Sequence, residues 1–280
     1  DTVSSYFGAN LCVGGTENIG QESVEHNSVA EAAGVFNTAT NTITYAQNIY
    51  ERMYPASTTK ILTAYLAIKY GNLSDVVTIS DNAVNLASDS SKCGLQAGDQ
   101  MTLQDLLYGL MLRSGNDAAI AIAEHISGSV EAFVDLMNQE AQQLGATGSH
   151  FMNPNGLPDE NHYTTVYDIY LMLNEAMKHQ EFTDITQLSN YTITYTSADG
   201  TQRQKWLDAT DQYLTGESSA PKGVTILGGK TGTTDKAGAC LALMVQNNYG
   251  EPYVSIVLDA SNKPELYERM NQLLEKVNHS

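Results

Sequence analysis

The sequence predicts a mixed α/β chain of the α+β type: an antiparallel sheet assembled from both chain ends, with an all-helical subdomain inserted between them. Three observations predict it. Apolar residues alternate with a period of two near residues 29–46 and again over 190–258, which is the strand pattern. Between these stretches, from residue 57 to about 186, the apolar period is that of a helix. The strand-like runs after residue 190 are joined by short turns, which favours antiparallel neighbours. At 280 residues the chain has length for one large domain or two intimate subdomains. The expected division is a flexible lead-in over 1–25 and one domain over 26–280. In that domain the sheet half takes 26–56 and 187–280, and the helical half takes 57–186.

Each element has its own signal. From Val29 the run Ala-Glu-Ala-Ala-Gly-Val-Phe reads as a strand, Thr38-Ala-Thr-Asn41 as a turn, and Thr42-Ile-Thr-Tyr-Ala46 as its hairpin partner. Pro55 then precedes a helix that carries Ile61, Leu62, Ala64, Tyr65, Leu66 and Ile68 on most of its sides and is therefore buried. Val76–Ile79 reads as a short strand. Thr102-Leu-Gln-Asp105 opens a helix, and Arg113-Ser-Gly-Asn-Asp117 ends it. Further helices run from Ala118 to about Ile126, from Ser129 to near Gly145, and from Thr165 onward, with Asn153-Pro-Asn-Gly156 as a loop. Tyr191–Tyr195 and Thr201–Trp206 form a hairpin. Three strands follow, ending at Leu258, and an amphipathic helix carries Leu266, Met270, Leu273, Leu274 and Val277. The junction of the two halves is where a cleft is expected.

Bulk properties narrow the function. A net charge of −18 argues against nucleic acid and anionic lipid as direct partners, so an anionic substrate needs a local positive site. No run is long and apolar enough to span a membrane. The three cysteines form no Cys-x-x-Cys pair. Cys240 reads as a buried apolar residue, while Cys12 and Cys93 can pair in an oxidising compartment. The six histidines form no ligand pair, so neither metal nor cofactor is expected, and His150 and His162 read as structural.

Three short motifs carry chemistry. Ser57 and Lys60 sit three apart at the start of the buried helix, on one face, so the amine reaches the hydroxyl. A serine needs a base, and a lysine becomes one when burial or a second cation lowers its pKa. Ser114-Gly-Asn116 places a hydroxyl and an amide on one tight loop. Ser114 can pass a proton, and Asn116 can hold a substrate amide or orient Lys60. Lys230-Thr231-Gly232-Thr233 lies on a strand whose glycines, Gly228 and Gly229 included, leave room for an extended peptide along the backbone. Its cation and hydroxyls suit a substrate that ends in a carboxylate.

Each motif alone is common, but the three in this order are a specific signal. The chain resembles the penicillin-recognising serine enzymes, in particular the low-molecular-mass penicillin-binding proteins that are serine D-Ala-D-Ala carboxypeptidases. Tyr54-Pro-Ala-Ser-Thr-Thr-Lys60, Leu112-Arg-Ser-Gly-Asn-Asp-Ala-Ala119, Asn153-Pro-Asn-Gly-Leu-Pro158 and Gly228-Gly-Lys-Thr-Gly-Thr-Thr234 carry the likeness. It implies a β-lactamase/transpeptidase-like fold, a sheet flanked by N- and C-terminal helices. It also implies Ser57 as nucleophile, Lys60 as base, Ser114, Asn116 and Lys230 as further catalytic residues, and Thr231, Gly232 and Thr233 as substrate-binding. The implied substrate is the peptidoglycan stem peptide, β-lactams are the implied covalent inhibitors, and the location is extracytoplasmic. Membrane contact is expected only through an anchor outside this chain. Two alternatives are a β-lactamase, for which Glu160 is the candidate deacylating residue, and a non-catalytic β-lactam sensor or wall-binding module. One departure stands out: the run Asp259-Ala-Ser-Asn-Lys263 lacks the arginine that relatives often place after the last strand, leaving Lys263 as a weak substitute.

Overall fold

The computed structural model describes residues 8–20 and 31–278. The main sheet opens with the hairpin β1 (Ala32–Asn37) and β2 (Thr42–Gln47), and a 3₁₀ turn (Ala56–Thr59) leads into α1 (Lys60–Tyr70). The helical half follows as β3 (Val76–Thr78), α2 (Asp81–Val84), β4 (Gln100–Thr102), α3 (Leu103–Met111), α4 (Asn116–Ser127), α5 (Val130–Gln143), α6 (Val166–Ala176) and α7 (Gln180–Thr186). Next come the hairpin β5 (Asn190–Thr196) and β6 (Gln202–Asp208), α8 (Gln212–Thr215), β7 (Thr225–Thr234), β8 (Gly238–Gln246), β9 (Pro252–Ala260) and α9 (Lys263–Leu274). The α+β class and the antiparallel arrangement are as the periodicity predicts. The five-stranded sheet has the order β2-β1-β9-β8-β7.

Alternation along the central strands sorts side chains between two cores. Phe36, Ala242, Met244, Val254 and Ile256 pack against the helical half, whereas Val35, Leu241, Leu243, Val245 and Val257 pack against α9. Each large apolar side chain so buried contributes roughly 1.5–3 kcal/mol. Caps set the helix starts: Thr102 accepts from the amide of Asp105 at 3.1 Å, Thr165 from Asp168 at 3.0 Å and Asn262 from Glu265 at 2.9 Å. As the sequence implies, α1 is buried nearly all round, and this fixes its first turn rigidly.

Two expectations need correcting, and a disulfide that the sequence allows is not formed. The hairpin β5–β6 does not join the main sheet. It extends β3 and β4 into a second, four-stranded sheet of order β3-β4-β5-β6, so the helical half is not all helical and part of 187–280 belongs with it. A period of two announces a strand but not its partner, and β4 meets β5 through the single pair Gln100 and Thr196. The described part of the lead-in is packed rather than free. The Cys12 amide donates to the Tyr170 hydroxyl at 2.9 Å, the Tyr167 hydroxyl donates to the Cys12 carbonyl at 2.7 Å, and Ile19 bridges to Ala46. The remainder of the 1–25 lead-in, the start of the first strand at Val29 and any N-terminal flanking helix lie outside the described residues, whereas the C-terminal flanking helix is α9. Finally, Cys12 and Cys93 are both free thiols. No helix among the described residues is long and apolar enough to cross a membrane.

His162 is structural in a way that predicts a pH effect. The Met152 amide donates to its Nδ1 at 2.9 Å, so Nε2 carries the proton and faces the Thr59 hydroxyl, also at 2.9 Å. Burial pushes its pKa from 6.5 down to about 4. The unfolded chain therefore binds this proton first. Stability from neutral His162 is complete above pH 6.5 and is lost as the pH falls through 4, by about 3 kcal/mol in all. Thermal melts of the wild type should fall over this window, and His162→Asn should flatten that part of the profile.

Candidate active site

The site is built where α1, the α3–α4 turn and β7 meet. Ser57 lies in the 3₁₀ turn ahead of α1, directly after Ala56, whose φ of 50° bends the chain sharply. Gly156 of the Asn-Pro-Asn-Gly loop backs this bend. Its φ is +97°, and a Cβ placed there would stand 1.9 Å from the Ala56 carbonyl oxygen. Gly156→Ala is expected to cost at least about 2 kcal/mol and to displace Ser57, lowering both the melting temperature and penicillin labelling. Normal labelling by this variant would remove the loop from any role in placing the serine.

Lys60 Nζ stands 2.8 Å from Ser57 Oγ, 3.1 Å from Ser114 Oγ and 2.7 Å from Asn116 Oδ1. The lysine is 0 % exposed. Burial first, and the charge of Lys230 second, hold its amine well below the ordinary lysine range. A neutral amine fits these neighbours: two N–H bonds serve Asn116 and Ser114, and the lone pair is left facing the Ser57 hydroxyl. Asn116 is fixed at both ends, because its Nδ2 donates to Ser90 Oγ at 2.7 Å. Of its two expected uses, orienting Lys60 is therefore the one already engaged. Ser114 takes a left-handed backbone, φ 59°, in the turn between α3 and α4.

Lys230 enters from β7. Its Nζ donates to Ser114 Oγ at 3.1 Å and to the Thr231 carbonyl at 2.8 Å, so Ser114 Oγ bridges the two lysines. Burial pushes Lys230 down to about 7, and Asp211 opposes that shift. Gly232 lets β7 approach Ser57 closely, since a Cβ there would stand 2.6 Å from the Ser57 amide nitrogen. The strand glycines thus serve protein packing rather than only a ligand: side chains at Gly228 and Gly229 would meet Thr186 and Ala242. The Thr231 hydroxyl contacts that of Thr210 at 2.5 Å, and Thr233 lines the cleft beside Ser57.

All eight residues singled out in the sequence, Ser57, Lys60, Ser114, Asn116, Lys230, Thr231, Gly232 and Thr233, meet at this junction. Sequence reasoning missed two buried carboxylates. Asp117 accepts amide protons from Cys93, Gly94, Leu95 and Ala118 and so fixes the loop beside Asn116. Asp211 lies 6 % exposed near Lys230 with Oδ2 unpartnered, and burial pushes it up to about 6. Both act across the fold, and only the acidic residue type was visible locally. Glu160 is exposed and borders neither cavity at Ser57. Among the described residues no group of three His, Cys, Asp or Glu side chains is arranged to hold a metal.

The chain is similar to known proteins in both sequence and fold. The chain is 33% identical over 263 residues to the D-alanyl-D-alanine carboxypeptidase DacF of Bacillus subtilis, covering 91% of this chain and 64% of that relative, a little under two thirds of its length. It is 32% identical to a D-alanyl-D-alanine carboxypeptidase of Streptomyces sp. K15, covering 92% of this chain and 90% of the relative. The crystal structure of the Streptomyces K15 DD-transpeptidase superposes with a TM-score of 0.81 at 29% identity, over 90% of this chain and 98% of that one. The family model described as D-alanyl-D-alanine carboxypeptidase matches residues 19–262, and the chain belongs to that family.

Proposed function

We propose that this protein is a serine D-Ala-D-Ala carboxypeptidase that removes the terminal D-alanine from peptidoglycan stem pentapeptides outside the cytoplasm. One observation carries the reading: a fully buried lysine amine lies 2.8 Å from the Ser57 hydroxyl, beside a second buried lysine that shares Ser114 with it. Lys60 takes the Ser57 proton as Oγ bonds to the carbonyl carbon of the penultimate D-alanine. The amides of Ser57 and Thr233 hold the oxyanion, each worth about 3–4 kcal/mol in comparable sites. As the C–N bond breaks, the proton on Lys60 passes through Ser114 to the departing amine. Water then attacks the acyl-enzyme, its proton goes to Lys60, and Ser57 Oγ recovers one on release. An incoming carboxylate stabilises Lys230 as a cation, which further disfavours protonation of Lys60. β-Lactams acylate the same oxygen.

Incubation with a stem pentapeptide, followed by mass analysis, tests the reading: tetrapeptide plus free D-alanine is expected, and recovery of intact pentapeptide would overturn it. A second reading is transfer of the acyl group to an amine, favoured by the likeness of this fold to the Streptomyces K15 DD-transpeptidase. Adding an amino-acid acceptor separates the two, since transfer yields a peptide heavier than the tetrapeptide. Against a β-lactamase stands the exposed Glu160, which lines neither cavity at Ser57. A non-catalytic sensor would be labelled by penicillin yet release no D-alanine.

A further inference from the structure

Ser114 Oγ stands 3.1 Å from both buried amines, so Lys60 and Lys230 share one hydroxyl and a proton can reside on either lysine. Catalysis needs it on Lys230, because only a neutral Lys60 can accept from Ser57. The surroundings of the two amines differ in the carboxylate each meets. Lys60 is acted on by Asp117 and Cys93. The oxygens of Asp117 already accept the amides of Cys93, Gly94, Leu95 and Ala118, whose dipoles offset its charge, and burial keeps the Cys93 thiol neutral.

Asp211 is in a different state. It is 6 % exposed, its Oδ1 accepts the Tyr213 amide at 3.0 Å, and its Oδ2 has no hydrogen-bond partner among the described residues. It follows Thr210, whose hydroxyl meets that of Thr231, the neighbour of Lys230 on β7. Two phenols also face it, Tyr213 from α8 and Tyr267 from α9. Burial, together with the charge of Asp211, pushes both above the ordinary tyrosine range, so they stay neutral. Both are engaged elsewhere: the Tyr213 hydroxyl donates to Asn271 Oδ1 at 2.7 Å, and the Tyr267 hydroxyl accepts the Gln212 amide at 3.1 Å. Lys230 is the cation on which Asp211 acts. We infer that Asp211 is a positioning residue: its unpaired carboxylate oxygen holds the shared proton on Lys230 and so leaves Lys60 free to accept from Ser57. Burial pushes Asp211 up to about 6, below the value of about 7 for Lys230. The carboxylate is therefore ionised over the range in which Lys230 gives up its proton. This role rests on the peptidase reading and adds to it a residue outside the three motifs.

The test is the pH profile of kcat/KM for a stem pentapeptide in wild type, Asp211→Asn and Asp211→Glu. Asparagine keeps the cap on the Tyr213 amide and removes the charge. Without that charge Lys230 should lose its proton about one pH unit lower, and the alkaline limb of the profile should move with it. At about pH 8 the variant is then about tenfold slower than wild type. At about pH 5, where Asp211 is itself protonated, the two should match. Asp211→Glu should return the limb toward its wild-type position. A merely structural role would instead lower activity by one factor at every pH. An unmoved limb in Asp211→Asn overturns the inference, and so does a limb in Asp211→Glu displaced as far as in the asparagine variant. The ε-methylene shift of ¹³C-labelled Lys230 reads the same proton without substrate, and a Lys230 that titrates alike in wild type and Asp211→Asn also overturns it. Wild type that releases no D-alanine at any pH would overturn the peptidase reading, while the Lys230 titration would still decide what Asp211 does to the proton.

Discussion

Ser57→Ala is expected to abolish covalent labelling by a fluorescent penicillin and to lower D-alanine release by roughly 10⁴-fold or more, the scale seen when a nucleophile is removed from an intact site. The substitution deletes one oxygen from a half-buried side chain whose described hydrogen-bond partner is Lys60. Lys60 keeps Ser114 and Asn116, the cavities are unaltered, and the melting temperature should stay as in wild type. Loss of labelling with retained folding therefore reports chemistry alone. Undiminished labelling would move the nucleophile elsewhere, with Ser114 the nearest candidate.

The second large effect is at Lys60. Lys60→Arg keeps the cation but installs a group that stays protonated at any ordinary pH, and it should lower the acylation rate by roughly 10³-fold, the contribution of a positioned general base. Lys60→Met removes the base with similar length and should be equally slow. Its stability should rise, because an amine 0 % exposed and beside another buried lysine is replaced by an apolar chain. An inactive but more heat-resistant Lys60→Met is a sharp expectation. A Lys60→Arg variant acylated at the wild-type rate would exclude proton abstraction by this residue.

What was legible in the sequence was local. The three motifs are short, and each reads from its own spacing: Ser57 to Lys60 along a helix face, Ser114 to Asn116 across a turn, Lys230 to Thr233 on a strand. The buried character of α1 follows from its apolar residues on most of its sides, and caps such as Thr102 with Asp105 mark where helices begin. What was not legible depends on pairing over long separations. The β5–β6 hairpin carries a clear strand period, yet nothing in it says that Thr196 meets Gln100 rather than the main sheet. Asp211 sits beside Lys230 only because Thr210 and Thr231 touch across the fold. Polar Gly-rich sequence around Cys12 reads as a tether, but two tyrosine hydroxyls from α6 pin its backbone. The role of Gly232 was read as room for a ligand, where close contact with the Ser57 amide already requires it.

The proposed chemistry rests on the two buried lysines, and their protonation can be observed directly. With ¹³C-labelled lysine, the ε-methylene shifts can be followed by NMR from pH 6 to 11 in wild type and in Lys60→Arg. One lysine should show the shift of a neutral amine through the neutral range and vanish in Lys60→Arg, and a second, Lys230, should titrate at about 7. If every lysine of the wild type titrates near 10.4, the unperturbed value, Lys60 is a cation at neutral pH and cannot accept the Ser57 proton.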